Sequence, residues 1–174
     1  EGGSAELWTI QGGAHVPTFT ANFRSSVIDF FFAHPKPGLG SRYCVPNDNS
    51  TGMAARIHGA GSVSVTNNDL VLRATSVPAS VNGLFFYGPL TQSTPLGAGV
   101  LCIAAGGVGL FRLPVVNSGS MGVMQNQPDL QNPPNASGLI RAGETWKFQA
   151  WFRDSASGAG QFNLSDALSL TFVP

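Results

Sequence analysis

Downstream of residue 43 the sequence is a series of short apolar or alternating runs, and this pattern constrains the fold more than any other feature. Clusters of Gly, Asn, Pro and Ser separate the runs at nearly regular intervals, as expected for strands joined by turns. The runs are SVSVT, DLVLRAT, GLFFYG, GVLCIAA, VGLFRLP, GSMGVMQ, TWKFQAWFRD and ALSLTFV. About eight such strands in roughly 130 residues predict a mainly β fold, an antiparallel β-sandwich, over residues 44–174.

The run TWKFQAWFRD shows the longest alternation in the chain. Because successive side chains of a strand point to opposite faces, Trp146 shares a face with Phe148, whereas Trp151 lies on the other face. An exposed tryptophan can stack on a sugar or a polymer, so Trp146 and Trp151 are both candidate ligand-binding residues. At least one of them is nevertheless expected to belong to the core.

The first 35 residues follow a different pattern and predict a short strand–loop–helix unit. ELWTI is a short β run, QGGAHVPT is a loop, and apolar residues then recur at intervals of three and four from about Thr20 to Ala33, the spacing of one helical face. His34 and Pro35 are expected to end the helix. The Pro- and Gly-rich residues 36–43 predict a linker to the β domain.

The two cysteines, Cys44 and Cys102, are far apart in the sequence. A disulfide between them is the favoured prediction, and two free buried thiols are the alternative. A bridge would indicate an oxidising compartment, in agreement with a Gly- and Pro-rich composition typical of extracellular or cell-surface bacterial β-domains. No Cys or His spacing indicates zinc, and the Asn/Asp clusters at 47–50 and 67–69 lack an EF-hand pattern, so we expect neither a metal nor a cofactor.

The charge pattern argues against two classes of partner. Nine basic and nine acidic residues cancel, and no Lys/Arg cluster occurs along the sequence, so binding to a phosphate backbone lacks its electrostatic driving force. No apolar run approaches the roughly 20 residues that a membrane-spanning helix needs. We therefore expect neither nucleic acid as a partner nor a membrane span.

His15 is the residue with the most distinctive setting, in the glycine turn GGAH between the predicted strand and helix. A histidine at such a position can act as the general base of a serine hydrolase, accepting a proton from the serine and passing it to the leaving group. The alternative is a loop histidine that hydrogen-bonds its own turn.

The stretch ELWTIQGGAHVPTFTANFRSSVIDFFFAHPKP resembles the C-terminal end of secreted α/β-hydrolases of the polyhydroxyalkanoate depolymerase and feruloyl esterase type. In that family a last strand leads into a GGGH loop and a final helix, so the resemblance implies that His15 would be the catalytic base of a serine carboxylic-ester hydrolase. Here Ala14 replaces one glycine of the loop. The remaining apparatus is missing, because no G-x-S-x-G turn occurs in the chain and no suitable acid precedes His15.

Residues 43–173 resemble a secreted C-terminal domain of planctomycetes and myxobacteria that follows many unrelated extracellular enzymes. The resemblance rests on CVPNDNSTGMAARIHGAGSVSVTNNDLVLRATSVPASVNGLFFYGP, LCIAAGGVGLFRLP, ETWKFQAWFRD and FNLSDALSLTF. The resemblance implies an accessory domain and assigns no reaction to it.

Together these patterns predict a non-catalytic accessory domain of a secreted esterase- or depolymerase-like hydrolase, serving attachment, stability or polymer contact. One alternative is an active serine esterase in which His15 is the base and a missing segment or chain supplies the nucleophile. A second alternative is a carbohydrate-binding module. The expected partners are the missing hydrolase core or a second copy of the chain, and a polymeric or cell-surface substrate. The phenylalanines of the strand–loop–helix unit are expected to be covered by docking on the sandwich or on a second copy of the chain.

Overall fold

The computed structural model describes residues 19, 21–33, 38–158 and 160–174. His15, Trp8 and the strand and loop predicted around them lie outside these residues. The chain divides into two units between Pro37 and Gly38, and each unit is described by itself.

The described part of the first unit contains one helix, α1, over Phe23–Ala33. It begins a few residues later than predicted, where the Asn22 carbonyl accepts the backbone N–H of Ser26 at 2.9 Å. Phe19 stacks on Phe23 with ring centroids 4.2 Å apart. Phe19 is 53% exposed and Phe31 65% exposed.

The described residues of the second unit form eleven strands and one short 3₁₀ helix, Ala136–Gly138. In chain order the strands are β1 Ser41–Tyr43, β2 Arg56–Ala60, β3 Val71–Thr75, β4 Asn82–Gly88, β5 Leu90–Leu96, β6 Gly99–Ala104, β7 Phe111–Arg112, β8 Val116–Asn117, β9 Met124–Asn126, β10 Thr145–Arg153 and β11 Phe162–Thr171. The predicted mainly β fold is confirmed. All strand pairs are antiparallel.

Two sheets and one hairpin are stacked in this unit. The central sheet has the order β1-β11-β10-β4-β7, with β8 also paired to β4, and the outer sheet has the order β2-β3-β9. Their facing sides enclose the main core, which contains Phe85, Phe148, Phe152 and Leu170 from the central sheet and Ile57, Leu72, Ala74 and Met124 from the outer sheet. This is a sandwich arrangement. The hairpin β5–β6 contributes to a second, smaller core on the other face of the central sheet.

One local prediction is wrong, and one strand was not predicted. The run SVSVT is not a strand, because the segment from Ser62 to Asp69 closes on itself: the Asp69 carboxylate accepts the backbone N–H of Ser62 at 3.1 Å and its hydroxyl at 2.7 Å. The strand that pairs with β3 is instead β2. Its alternation of apolar and polar residues is not visible in the sequence, because Gly59 and Ala60 have small side chains.

The linker is also shorter than predicted. Its last three residues, Ser41, Arg42 and Tyr43, form β1 and pair with Ser169, Leu168 and Ala167 of β11. Gly40 precedes the strand with φ +73°, a left-handed conformation that glycine adopts without strain, and a Cβ there would lie within contact distance of the Ser169 carbonyl. The β domain therefore begins before the predicted residue 44.

Among the described residues, no helix combines the length and the apolar character required to cross a membrane.

Candidate binding cleft

The β5–β6 hairpin is attached to the outward face of the central sheet by the buried side chain of Gln149. Its Nε2 donates to the Val100 carbonyl at 2.8 Å and to the Ser165 carbonyl at 2.7 Å, and its Oε1 accepts the Cys102 N–H at 3.0 Å. Gln149 is fully buried. A polar side chain is stable at such a depth only when its hydrogen bonds are made, so these three bonds fix β6 against β10 and β11.

A disulfide between Cys44 and Cys102 also joins the hairpin to the sheet, which confirms the predicted pairing over two free thiols. The two Cα atoms are 6.2 Å apart. The neighbouring Tyr43 donates its hydroxyl to the Cys102 carbonyl at 3.0 Å, and burial raises the pKa of Tyr43 to about 12. A covalent bond of this kind is compatible with an extracellular protein.

Between the hairpin and the sheet the chain leaves an open cleft of about 480 Å³. Its lining is apolar except for one arginine and consists of Leu84, Phe86, Leu96, Leu101, Leu110, Arg112, Trp151 and Leu164. Six strands or strand ends supply these residues, so the cleft exists only once the hairpin lies on the sheet. A volume of this size suits a small molecule or one segment of a polymer.

Two aromatic residues line the cleft, and of these Phe86 is buried whereas Trp151 is half-buried. Its ring lies 5.6 Å from that of Phe162, with an interplanar angle of 37°, and the guanidinium carbon of Arg153 lies 5.4 Å from the ring centroid. A neighbouring aromatic ring and a cation over the indole both hold the side chain in place. The indole ring of Trp151 is therefore held in a fixed orientation at the cleft.

Trp146, the other candidate, lies on the opposite face of the strand. It is 6% exposed and packs in the main core with its ring 5.4 Å from that of Tyr87. Its Nε1 donates to Glu144 Oε2 at 3.0 Å, and this hydrogen bond lowers the pKa of Glu144 below its ordinary value. The structure does not bring the two tryptophans together, and Trp146 cannot stack on a ligand in this position.

The lining of the cleft contains one ionisable group. Among the described residues that line it, Arg112 is that group, and the other lining side chains are apolar or aromatic. The described residues also contain no group of three or more His, Cys, Asp or Glu side chains able to hold a metal ion. The side chains of Asn49 and Asp69, in the two Asn/Asp clusters, accept hydrogen bonds from their own turns.

Sequence reasoning identified Trp151 but missed its neighbours. Nothing in the sequence showed that β5 and β6 would lie across Leu84 and Phe86 of β4. Sequence reasoning also gave no indication of the partners of Asp166. Asp166 is paired with Arg56 at 3.5 Å and Arg42 at 3.8 Å, residues that lie far away in the sequence.

No protein-family model matches the chain, and no curated protein or solved structure does so either. The resemblances to hydrolase C-termini and to the secreted C-terminal domain therefore stay predictions.

Proposed function

We propose that this chain is a non-catalytic accessory module and that the cleft around Trp151 holds it on an apolar polymer. The observation that supports the proposal most directly is the apolar lining itself, which contains one arginine, Arg112, and the ring of Trp151 held under Arg153. Large apolar surfaces open to solvent are uncommon on monomeric proteins and mark places where another molecule binds.

The resemblance of the first 37 residues to polyester- and ester-cleaving enzymes suggests which polymer to test first. A polyester presents alternating aliphatic and ester groups, and an aliphatic cleft with one hydrogen-bond-donating arginine, Arg112, complements that chemistry. Binding of an uncharged polysaccharide such as cellulose normally uses a wider exposed aromatic platform, and among the described residues of the cleft Trp151 alone offers a tryptophan ring.

Retention on polymer particles tests this proposal. The full chain should be retained on poly(3-hydroxybutyrate) granules and much less on cellulose. Trp151→Ala should weaken retention about tenfold, which corresponds to roughly 1.4 kcal/mol of binding free energy, and Trp151→Phe should weaken it less because a flat aromatic face remains.

Val115→Ala is the matched control, because Val115 is 65% exposed and does not line the cleft. The proposal is wrong if the wild-type chain is not retained on the granules, or if Val115→Ala and Trp151→Ala have the same effect. Stronger retention on cellulose that also depends on Trp151 would favour the carbohydrate-binding alternative instead.

An ester-hydrolysis assay tests the alternative role of His15. With a short acyl ester as substrate we expect no turnover by this chain, because no G-x-S-x-G nucleophile is present to receive help from a base. Turnover that His15→Ala abolishes would contradict the non-catalytic proposal.

A further inference from the structure

Three arginines that are distant in the sequence lie around one histidine at the outward side of the outer sheet. Arg56 and His58 lie on β2 and Arg73 on β3, all three exposed, while Arg42 comes from β1 of the central sheet. We call these four residues the arginine patch. His58 and Arg73 are directly opposite each other in the antiparallel register, so their side chains leave the sheet on the same face.

A β-bulge in β11 produces this arrangement. Gln149 pairs with Ala167 and Trp151 with Leu164, so Ser165 and Asp166 together face the single residue Ala150 of β10. The Ser165 hydroxyl accepts the Ala150 N–H at 3.0 Å. A bulge redirects a side chain, and here the Asp166 carboxylate turns to the edge of the outer sheet.

The Asp166 carboxylate orients two of the three arginines. It is 1% exposed, accepts the Ile57 N–H at 2.7 Å, and lies 3.5 Å from the Arg56 guanidinium and 3.8 Å from that of Arg42. The two arginine side chains remain 48% and 46% exposed. The guanidinium groups of both arginines are therefore held in place by Asp166 and remain accessible to solvent.

The patch carries more positive charge than Asp166 neutralises. Three guanidinium groups against one carboxylate leave an excess of two positive charges, and Arg73 has no ion pair among the described residues. Gln125, opposite Arg73 on β9, is neutral. The charged groups that act on His58 are Arg56 on the same strand and Arg42, Asp166 and Arg73 on other strands. Burial is the main reason that the pKa of His58 lies below its ordinary value, and the charge of Arg42 is the next.

We propose that the arginine patch binds an acidic polysaccharide through its carboxylate or sulfate groups. Adjacent strands are about 4.8 Å apart and alternate residues of a strand about 6.7 Å apart, so the cations are spaced to contact successive anionic groups of an extended polymer. Arginine donors match the planar geometry of carboxylate and the oxygens of sulfate. Thr75 and Gln125 on the same face supply hydrogen bonds for sugar hydroxyls.

The composition of this face favours a polysaccharide over a nucleic acid. The outward residues of β2, β3 and β9 within the described chain are Arg56, His58, Ala60, Val71, Arg73, Thr75 and Gln125. They include no Phe, Tyr or Trp, the side chains on which single-stranded bases usually stack.

The test is the affinity of the full chain for fluorescently labelled alginate oligosaccharides, measured by anisotropy at low salt. Arg73→Ala should weaken binding about tenfold, because Arg73 is the member of the patch that no ion pair engages. Arg73→Lys should restore part of the affinity. Arg141→Ala removes an exposed arginine from another part of the unit and should bind like the wild type.

A second measurement follows His58 by NMR. A bound anion stabilises the protonated imidazole, so alginate should raise the pKa of His58 and binding should strengthen as the pH falls through that value. The proposal is overturned if the wild type does not bind alginate, if Arg73→Ala binds as tightly as Arg141→Ala, or if the pKa of His58 is unchanged at saturation. Tighter, Arg73-dependent binding of an oligothymidylate than of alginate would overturn it in favour of nucleic acid.

Discussion

Replacing Gln149 with leucine tests whether buried hydrogen bonds hold the β5–β6 hairpin on the central sheet. Leucine has a similar volume and keeps the site filled, so the change removes polar contacts without opening a large cavity. The substitution leaves the Cys102 N–H and the carbonyls of Val100 and Ser165 without the partner they have in the native chain.

The expected loss in the free energy of unfolding comes from these three hydrogen bonds together. A buried donor or acceptor that loses its partner costs about 1–3 kcal/mol, and carbonyls recover part of this by small adjustments, so we expect Gln149→Leu to lower the free energy of unfolding by about 3–5 kcal/mol. That is a large part of the total stability of a typical domain, roughly 5–15 kcal/mol.

Urea unfolding of the full chain with its disulfide intact measures the effect. The midpoint should fall by at least about 1 M, since small domains lose about 1–3 kcal/mol per molar urea. Gln125→Leu is the matched control, because Gln125 is exposed on β9, and it should change stability by no more than about 0.5 kcal/mol. A loss below about 1 kcal/mol for Gln149→Leu would refute the role assigned to this side chain.

Two further predictions concern the same unit. The double substitution Cys44→Ser/Cys102→Ser should lower the free energy of unfolding by about 4 kcal/mol in the chain-entropy estimate for a separation of 58 residues; an unchanged unfolding midpoint in denaturant would contradict it. Burial raises the pKa values of Tyr43 and Tyr87, the chain's two tyrosines, to about 12. Because the unfolded chain releases these protons near pH 10 and the folded chain retains them, their contribution to stability is complete below pH 10 and is lost as the pH rises towards 12. Ultraviolet titration of the phenolate band should show no tyrosine ionisation in the folded chain near pH 10. Ionisation of either tyrosine near pH 10 while the chain is still folded would contradict the prediction.

The short-range part of the fold was readable from the sequence because it depends on local periodicity. The alternation in TWKFQAWFRD predicted β10 and correctly separated the face of Trp146 from that of Trp151. The apolar spacing around Phe23 predicted a helix, and its observed end at Ala33 agrees. The strand β2 was missed, since a charged and glycine-containing segment carries no such signal on its own.

The candidate sites depended on contacts between distant segments. Trp151 was a candidate from the sequence, but its cleft required β5 and β6 to cross the central sheet, which Gln149 and the disulfide arrange. No Lys/Arg cluster occurs along the sequence, yet the folded chain brings Arg42, Arg56 and Arg73 together. They meet because the bulge at Asp166 brings β11 to the edge of the outer sheet.

The sequence by itself determined that this chain would form antiparallel strands, which face of β10 would be buried, and that its two cysteines could pair. These properties follow from the two-residue period of a strand and from the burial of apolar side chains, and both act over a few residues. Only the tertiary structure decided which residues would surround the half-buried indole of Trp151 and the three arginines of the patch. Strand order and a single inserted residue in β11 set those positions, and neither leaves a periodic signal in the sequence.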